Sequence, residues 1–461
     1  MIRKQYVLIA DLYSIKDDPS SDGKPVRVRG WVRTNRSNGH VGFIALSDGT
    51  CFENVQIVYN IDAHPELAEA SKIATGCSID VAGTLSLTPD AKQPFEVQAD
   101  SVTVVGGCDP DFPMQKKRHS LEFMREIPHL RPRTNTFTAL FRVRSVLCAA
   151  IHEFFQSNGF LYITPPLITG NDAEGAGEVF TVTTREDGDY EKDFFGKHAC
   201  LTVSGQLHVE PFTLAYDKVY TFGPTFRAEN SNTTTHASEF WMVEPEIAFA
   251  DLEDDMEVME SMVKYCIKAV LDRCPSEMKF FNDMFDKEHA LISRLQAVVD
   301  SEFKVLPYTE AIDLLLKSGR QFQYPVEWGI DMKSEHERYL CEEVVKGPVF
   351  IIDYPKDIKA FYMRMNEDGK TVAACDCLVP GVGELIGGSQ REERYDLLTK
   401  RMAELGIPQD SLQWYCDLRR FGSVPHSGFG LGLERFILYL TNIGNIRDTI
   451  PYARTPKNLM F

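Results

Sequence analysis

Hydrophobic and polar positions alternate in short runs over the first hundred residues. The runs are Val26-Arg-Val-Arg-Gly-Trp-Val32, Gly42-Phe-Ile-Ala-Leu46, Val55-Gln-Ile-Val58, Ser78-Ile-Asp-Val-Ala82 and Phe95-Glu-Val-Gln98. A period of two turns one face of each run inward and the other outward, which is the pattern of half-buried strands. Turn signals separate them (Ser37-Asn-Gly39, Asp48-Gly49, Thr88-Pro89), and one helical stretch falls near 65–72. Five short strands and one helix predict a small closed β-barrel over residues 1–105. Residues 106–135 open with Gly106-Gly-Cys-Asp-Pro-Asp-Phe-Pro113 and continue basic and rich in Pro, His and Arg, so they read as a hinge.

From residue 136 the period changes. Phe137–Ser157 carries apolar residues at Phe141, Val146, Leu147, Ala150, Ile151 and Phe154, a helical spacing that stops at Asn158-Gly159. Asp251–Cys274 predicts a second amphipathic helix whose acidic first turn suits the helix dipole. Residues 275–345 read as a small, mostly helical insertion. Strands and helices do not alternate regularly, so the expected class for 136–461 is α+β, an antiparallel sheet flanked by helices.

Composition narrows the function. At 461 residues the chain can bury two or three cores. A net charge of −18 excludes indiscriminate binding to nucleic acid. The excess acid lies downstream of residue 145, however, and the front of the chain is close to neutral, which suits a partner gripped at chosen patches. Eleven scattered cysteines, none in a CxxC pair, predict thiols in a reducing compartment, the cytoplasm. The first residues lack the pattern of a secretory leader, and no run approaches the roughly 18 apolar residues of a membrane span.

Three constellations carry chemistry. Asn158-Gly-Phe-Leu-Tyr-Ile-Thr-Pro-Pro166 takes a helix end into a proline-capped strand. Val219–Glu229, a polar loop through His236, and Glu239-Phe-Trp-Met-Val-Glu244 form an antiparallel hairpin, with Arg227 and Glu229 expected on one strand face. Arg227 offers a planar fork for a phosphate and Glu229 an acceptor for an amino group. Ser427-Gly-Phe-Gly-Leu-Gly-Leu-Glu-Arg435 opens an apolar helix, Phe436–Leu440, and its glycines allow a ligand close to the backbone. No βαβ unit follows, so it is not a dinucleotide fingerprint.

In this order and spacing the three resemble the signature motifs of class II aminoacyl-tRNA synthetases. The N-terminal barrel, of the OB type, narrows the resemblance to the subgroup for aspartate, asparagine and lysine, and it covers essentially the whole chain. The resemblance implies that Arg227 binds the α-phosphate of ATP and the amino-acid carboxylate, Glu229 the adenine amino group, and Phe240 the face of the base. It implies that His236 and Arg435 reach the outer phosphates along the Gly430 and Gly432 backbone. Glu384 would hold Mg²⁺, with Asp376 as a second carboxylate one residue further away than in aspartyl enzymes. Glu174, in the loop Asn171–Gly177, would close over the amino acid. The reaction needs no protein nucleophile, since the substrate carboxylate attacks phosphorus and the protein supplies alignment and charge.

The segment Thr202-Val-Ser-Gly-Gln-Leu-His-Val-Glu210 resembles the aspartyl pattern but carries Val209 where those enzymes carry a lysine. A neutral side-chain amide tolerates that loss and a carboxylate does not. The expected substrate is therefore L-asparagine, its amide met by Arg391, its α-amino group by Gln206, with Ser204 in the same pocket, and its acceptor tRNA(Asn). Aspartate, an adenylate-forming relative without tRNA and an inactive RNA-binding module remain as alternatives. Phe43, Gln56 and Arg33 on the barrel are the expected anticodon contacts. The first motif further implies a homodimer, unless residues 275–345 cover its open strand edge within one chain.

Overall fold

The structure is a computed structural model that describes residues 6–114, 119–171, 178–231 and 233–461. It divides into two compact units, Met1–Ala139 and Leu140–Phe461, so the basic connector belongs with the barrel.

The first unit is a closed barrel of five strands, β1 (Pro25–Ser37), β2 (Val41–Ser47), β3 (Val55–Asn60), β4 (Ser78–Leu87) and β5 (Phe95–Gly106), in the order β1-β2-β3-β5-β4. Alternate residues of each strand fill it: Val28, Val32, Ile44, Leu46, Ile57, Val81 and Val97 are all buried. The helical stretch Pro65–Lys72 is a 3₁₀ helix between β3 and β4. β1 pairs with β2 and, antiparallel, with β4, and a bulge between Val32 and Thr34 interrupts its register at Arg33. Beyond the bulge Arg36 stands opposite Phe43, and Ala45 stands opposite Gln56. Cross-strand neighbours share a face, so Phe43 and Gln56 lie together on the outside of the barrel.

The second unit is built on an eight-stranded sheet. Its strands are β6 (Leu161–Tyr162), β10 (Lys218–Phe226), β11 (Glu239–Ala248), β12 (Lys304–Pro307), β13 (Val349–Pro355), β14 (Thr371–Val379), β15 (Gly383–Gln390) and β16 (His426–Gly432). They lie in the order β12-β13-β14-β15-β16-β11-β10-β6. The inner pairings are antiparallel, and only the two ends, β12 with β13 and β6 with β10, are parallel. Three short strands, β7 (Ile168–Thr169), β8 (Thr181–Val182) and β9 (Ala199–Leu201), form a separate sheet in the order β7-β9-β8.

The helices fall where the periodicity places them, Asn135–Ser157 and Leu252–Arg273. The second begins on a capping box: Asp251 accepts from Glu253 N (2.9 Å) and Asp254 N (3.1 Å), and Asp254 accepts from Asp251 N (3.0 Å). Leu252–Arg273 lays Met259, Val263 and Cys266, all buried, into the core.

The stretch 275–345 departs from expectation. It contributes β12 to the edge of the main sheet, as well as helices such as Pro275–Phe285 and Tyr308–Lys317. Three of the four residues of β12 are exposed, so no alternation marks it in the sequence. β12 lies at the opposite end of the sheet from β6.

Candidate active site

The middle strands of the sheet, β11, β15 and β16, form the floor of a cavity of about 320 Å³. One end is lined by Ser204, Gln206, Glu244 and Arg391, and the other by Arg227, Glu229, His236, Phe240 and Arg435. Asp376 and Glu384 lie along one wall, and Gly430 and Gly432 expose backbone to the cavity. Residues from across two hundred positions thus meet in one site.

Arg227 and Glu229 are not on the strand itself, because β10 ends at Phe226. Both lie in the loop that follows, where Arg227 N donates to Ser238 O (3.0 Å) and so continues the β10–β11 ladder by one bond. The Arg227 guanidinium packs against the Phe240 ring, 5.4 Å from its centroid. His236, in the same hairpin loop, is held by Thr233 Oγ1 at 2.5 Å.

Arg435 stands in the first turn of the helix Leu433–Thr441 and donates through Nη1 to the Glu384 carboxylate (3.1 Å) and carbonyl (3.2 Å). Asp376 accepts from Lys359 Nζ at 2.9 and 3.0 Å. A β-bulge between Cys377 and Leu378 leaves Leu385 of β15 without a partner and sets Leu378 opposite Glu384 and Asp376 opposite Gly387. A Cβ placed on Gly387 would lie 3.3 Å from Asp376 Oδ1 and 3.4 Å from Glu384 Oε1. The absent side chain thus leaves a cradle between two carboxylate oxygens. Two hard oxygen donors beside a phosphate-sized space fit Mg²⁺, which binds through one or two carboxylates and the substrate's phosphates. Each carboxylate has one cation beside it, Lys359 at Asp376 and Arg435 at Glu384.

The amino-acid end holds more buried charge than the sequence suggests. Arg391 is buried, and its Nε and Nη2 donate to the two oxygens of Glu246 at 3.1 and 2.5 Å, while Nη1 donates to Ser389 Oγ at 2.8 Å. Burial opposes the guanidinium charge, but Glu246 beside it outweighs that and raises its pKa above the ordinary value. A guanidinium has five N–H donors, so two remain for a ligand. Gly428 makes room for the pair, since a Cβ there would lie 2.4 Å from Glu246. Glu244 accepts from Ser204 Oγ and from Gly205 N (2.9 Å), which pins the turn leading into Gln206. Glu246, Glu244 and Lys359 were not singled out in the sequence. Glu244 and Glu246 alternate with Val243 and Pro245 on β11, so a charged pair two apart inside an apolar central strand was the available signal.

Val209 is fully buried and does not line the cavity. Arg33, at the β1 bulge, donates to Thr138 Oγ1 (3.4 Å). Its guanidinium is largely buried, and burial, with Arg133 nearby, lowers its pKa. On the barrel face the Gln56 amide donates to Glu96 Oε1 at 2.5 Å. Glu174 lies outside the described residues.

Residues 120–456 match the family described as tRNA synthetases class II (D, K and N), and residues 26–105 match the OB-fold nucleic acid binding domain. The asparagine--tRNA ligase of Clostridium perfringens (strain 13 / Type A) is 57% identical over 462 aligned positions, covering 98% of each chain. That of Alkaliphilus metalliredigens is 56% identical over 449, covering 95% of this chain and 96% of its own. The crystal structure of asparaginyl-tRNA synthetase from Pyrococcus horikoshii complexed with asparaginyl-adenylate superposes with a TM-score of 0.87 at 34% identity, covering all of both chains.

Proposed function

The chain belongs to the class II tRNA synthetases of the aspartate, lysine and asparagine group and charges tRNA with asparagine at the expense of ATP, and from that premise we propose how its residues divide the work. The single observation that carries the proposal is that Ser204, Gln206 and Arg391 line the same cavity as Arg227, Glu229, His236, Phe240 and Arg435.

Asparagine enters with its side-chain amide toward Arg391, whose two spare N–H groups donate to the amide oxygen. Glu246 has already compensated the Arg391 charge, so an aspartate carboxylate would enter without a free cation to meet it. Gln206 accepts from the α-ammonium, and Ser204 and Glu244 shape the wall beside it. Arg227 draws the substrate carboxylate and the α-phosphate together, which turns a bimolecular attack into an aligned one. The ATP base lies on Phe240 with Glu229 as acceptor for its amino group, and His236 and Arg435 face the outer phosphates.

As phosphorus becomes five-coordinate, negative charge grows on its oxygens, and the fork of Arg227 is aimed where that charge develops. Glu384, with Asp376 behind it, would hold Mg²⁺, which supplies neutralisation of the leaving pyrophosphate when bound. No general base is required, because the attacking carboxylate is already ionised.

On the barrel, Phe43 stacks on the middle base of the anticodon. Gln56, its NH₂ engaged by Glu96, presents its carbonyl oxygen to the N3–H of a uracil. The exposed β6 edge seats a second copy of the chain, making a homodimer. Among the described residues no helix is long and apolar enough to cross a membrane, and a tRNA substrate supports a cytoplasmic location.

ATP–pyrophosphate exchange measured across all twenty amino acids tests the assignment. Exchange should depend on asparagine, with aspartate slower by orders of magnitude. Equal exchange with aspartate would refute the role given to the Arg391–Glu246 pair.

A further inference from the structure

One helical turn beyond Gln206, on the helix Gln206–Tyr216, Glu210 is completely buried. Four side chains converge on it. Its Oε1 accepts from Arg419 Nη2 (2.9 Å) and faces His426 Nε2 (2.8 Å), and its Oε2 accepts from Tyr415 OH (2.7 Å) and Gln206 Nε2 (3.3 Å). The other ring nitrogen of His426 faces the Val424 carbonyl at 2.9 Å. Burial works against the Glu210 charge, but Arg419 and His426 hold its carboxyl below the usual range.

The contact with Gln206 has a chemical sense. A carboxylate only accepts, so Gln206 must turn its NH₂ toward Glu210, which leaves its carbonyl oxygen for the cavity it lines. An ammonium only donates. The reversed amide would set NH₂ against NH₃⁺, two donors facing each other. A glutamine alone has no preference between the two orientations, and a buried anion at one end imposes one.

We propose that Glu210 is a positioning residue that fixes the polarity of the Gln206 amide, so that its carbonyl oxygen receives the α-ammonium of asparagine. The proposal rests on the reading above that Gln206 holds that ammonium. Arg419, His426 and Tyr415 serve it by keeping Glu210 ionised and immobile under the site. They reach Glu210 from the helix Gln413–Arg420 and from β16, and neither Arg419 nor His426 lines the cavity.

Glu210→Gln keeps the shape and removes the imposed orientation. Losing a hydrogen bond to a charged group predicts a rise in KM for asparagine of about 10- to 100-fold. The KM for ATP should not change, and kcat should change much less than KM. Succinamate, which is asparagine without its amino group, should inhibit pyrophosphate exchange equally well in wild type and variant. Glu210→Asp, which keeps the charge and withdraws the oxygen from Gln206, should give the same selective rise and carries the test if Glu210→Gln does not fold.

An unchanged KM for asparagine in these variants, or equal weakening of asparagine and succinamate, overturns the proposal. Gln206→Ala separates the two layers of the argument. If it leaves the KM for asparagine unchanged, the underlying reading of Gln206 fails; if it raises that KM while the Glu210 variants do not, only the role of Glu210 fails.

Discussion

Arg144, on the long helix Asn135–Ser157, and Glu434, at the start of the helix Leu433–Thr441, form an ion pair of 2.8 Å in which Glu434 is 1% exposed and Arg144 14%. Glu434 Oε2 also accepts from Trp241 N on β11 (2.9 Å), and Arg144 donates to Thr449 O (3.1 Å). One carboxylate thus ties the long helix to the second and third motifs, immediately before Arg435. Burial raises the Glu434 carboxyl above its ordinary range, and Arg144 opposes that rise.

Removing Arg144 alone should therefore be costly, since it strands a buried carboxylate. Arg144→Ala is expected to destabilise the chain by about 3–5 kcal/mol. A stranded Glu434 takes up a proton at higher pH, so the variant should recover part of its stability as pH is lowered from 8 to 5. Urea unfolding at several pH values measures both effects. A loss below about 1 kcal/mol, with no pH recovery, would mean that the pair behaves as a solvated surface contact.

Such links mark what a one-dimensional reading reaches and misses. The barrel strands, the two long helices and the motif residues Arg227, Phe240 and Arg435 were legible because period and spacing are local properties. β12 was not, because its four residues have no alternation and it pairs only through the sheet edge. Glu210, Glu246 and Glu434 were not either. Each is a carboxylate in an apolar run, and its meaning comes from a cation 145 to 290 positions away in the chain. The bulge at Leu385 of β15, which sets Asp376 opposite Gly387, is likewise a property of the sheet and not of either strand alone.

Arg227→Ala should lower adenylate formation at least 10²-fold, by the magnitude expected for one donor aimed at developing charge. The loss should fall on kcat more than on the KM for ATP, because the contact strengthens in the transition state. Pyrophosphate exchange at saturating asparagine reads this directly. Near-normal exchange would remove Arg227 from the centre of the mechanism.

Asp255 supplies a pH test away from the substrate contacts. It is fully buried on the helix Leu252–Arg273 with neither oxygen hydrogen-bonded to another described residue, and burial pushes its carboxyl well above the ordinary range despite Arg391 nearby. A folded-state pKa above the unfolded one means that the folded chain binds the proton more tightly. The stabilising contribution is then complete below about pH 4 and drains away as pH rises toward the folded pKa. Asp255→Asn removes that slope. Between pH 5 and 8 the wild type should lose stability relative to the variant, and parallel stability curves would show that Asp255 is already ionised in the folded state.

Phe43→Ala tests the barrel face. Stacking of a base on an exposed aromatic is worth about 1–3 kcal/mol, so the variant should need roughly 10- to 100-fold more tRNA for half-maximal charging. Pyrophosphate exchange, which needs no anticodon contact, should be unchanged. Equal losses in both assays would point to a folding defect and make Phe43 a residue of the barrel's packing only.

The last test concerns assembly. On β6, Leu161 is 46% exposed and Tyr162 37%, and further along the chain Leu167 and Ile168 are exposed as well. β6 pairs with β10 on one side and ends the sheet on the other, so backbone donors and acceptors as well as apolar side chains face outward. Of the insertion, the strand β12 sits at the far edge of the sheet. A two-fold contact places the same patch against itself and covers both copies at once. The edge also bears on the active site: Tyr162 OH donates to Phe222 O (2.9 Å) on β10, the strand that leads into Arg227. Sedimentation at low micromolar concentration should therefore report twice the 52.2 kDa of one chain. Leu161→Asp, which sets a charge into the self-facing patch, should shift the protein to monomer and lower pyrophosphate exchange at least 10-fold. A 52.2 kDa species with full activity would separate catalysis from the dimer and leave the exposed edge without that role.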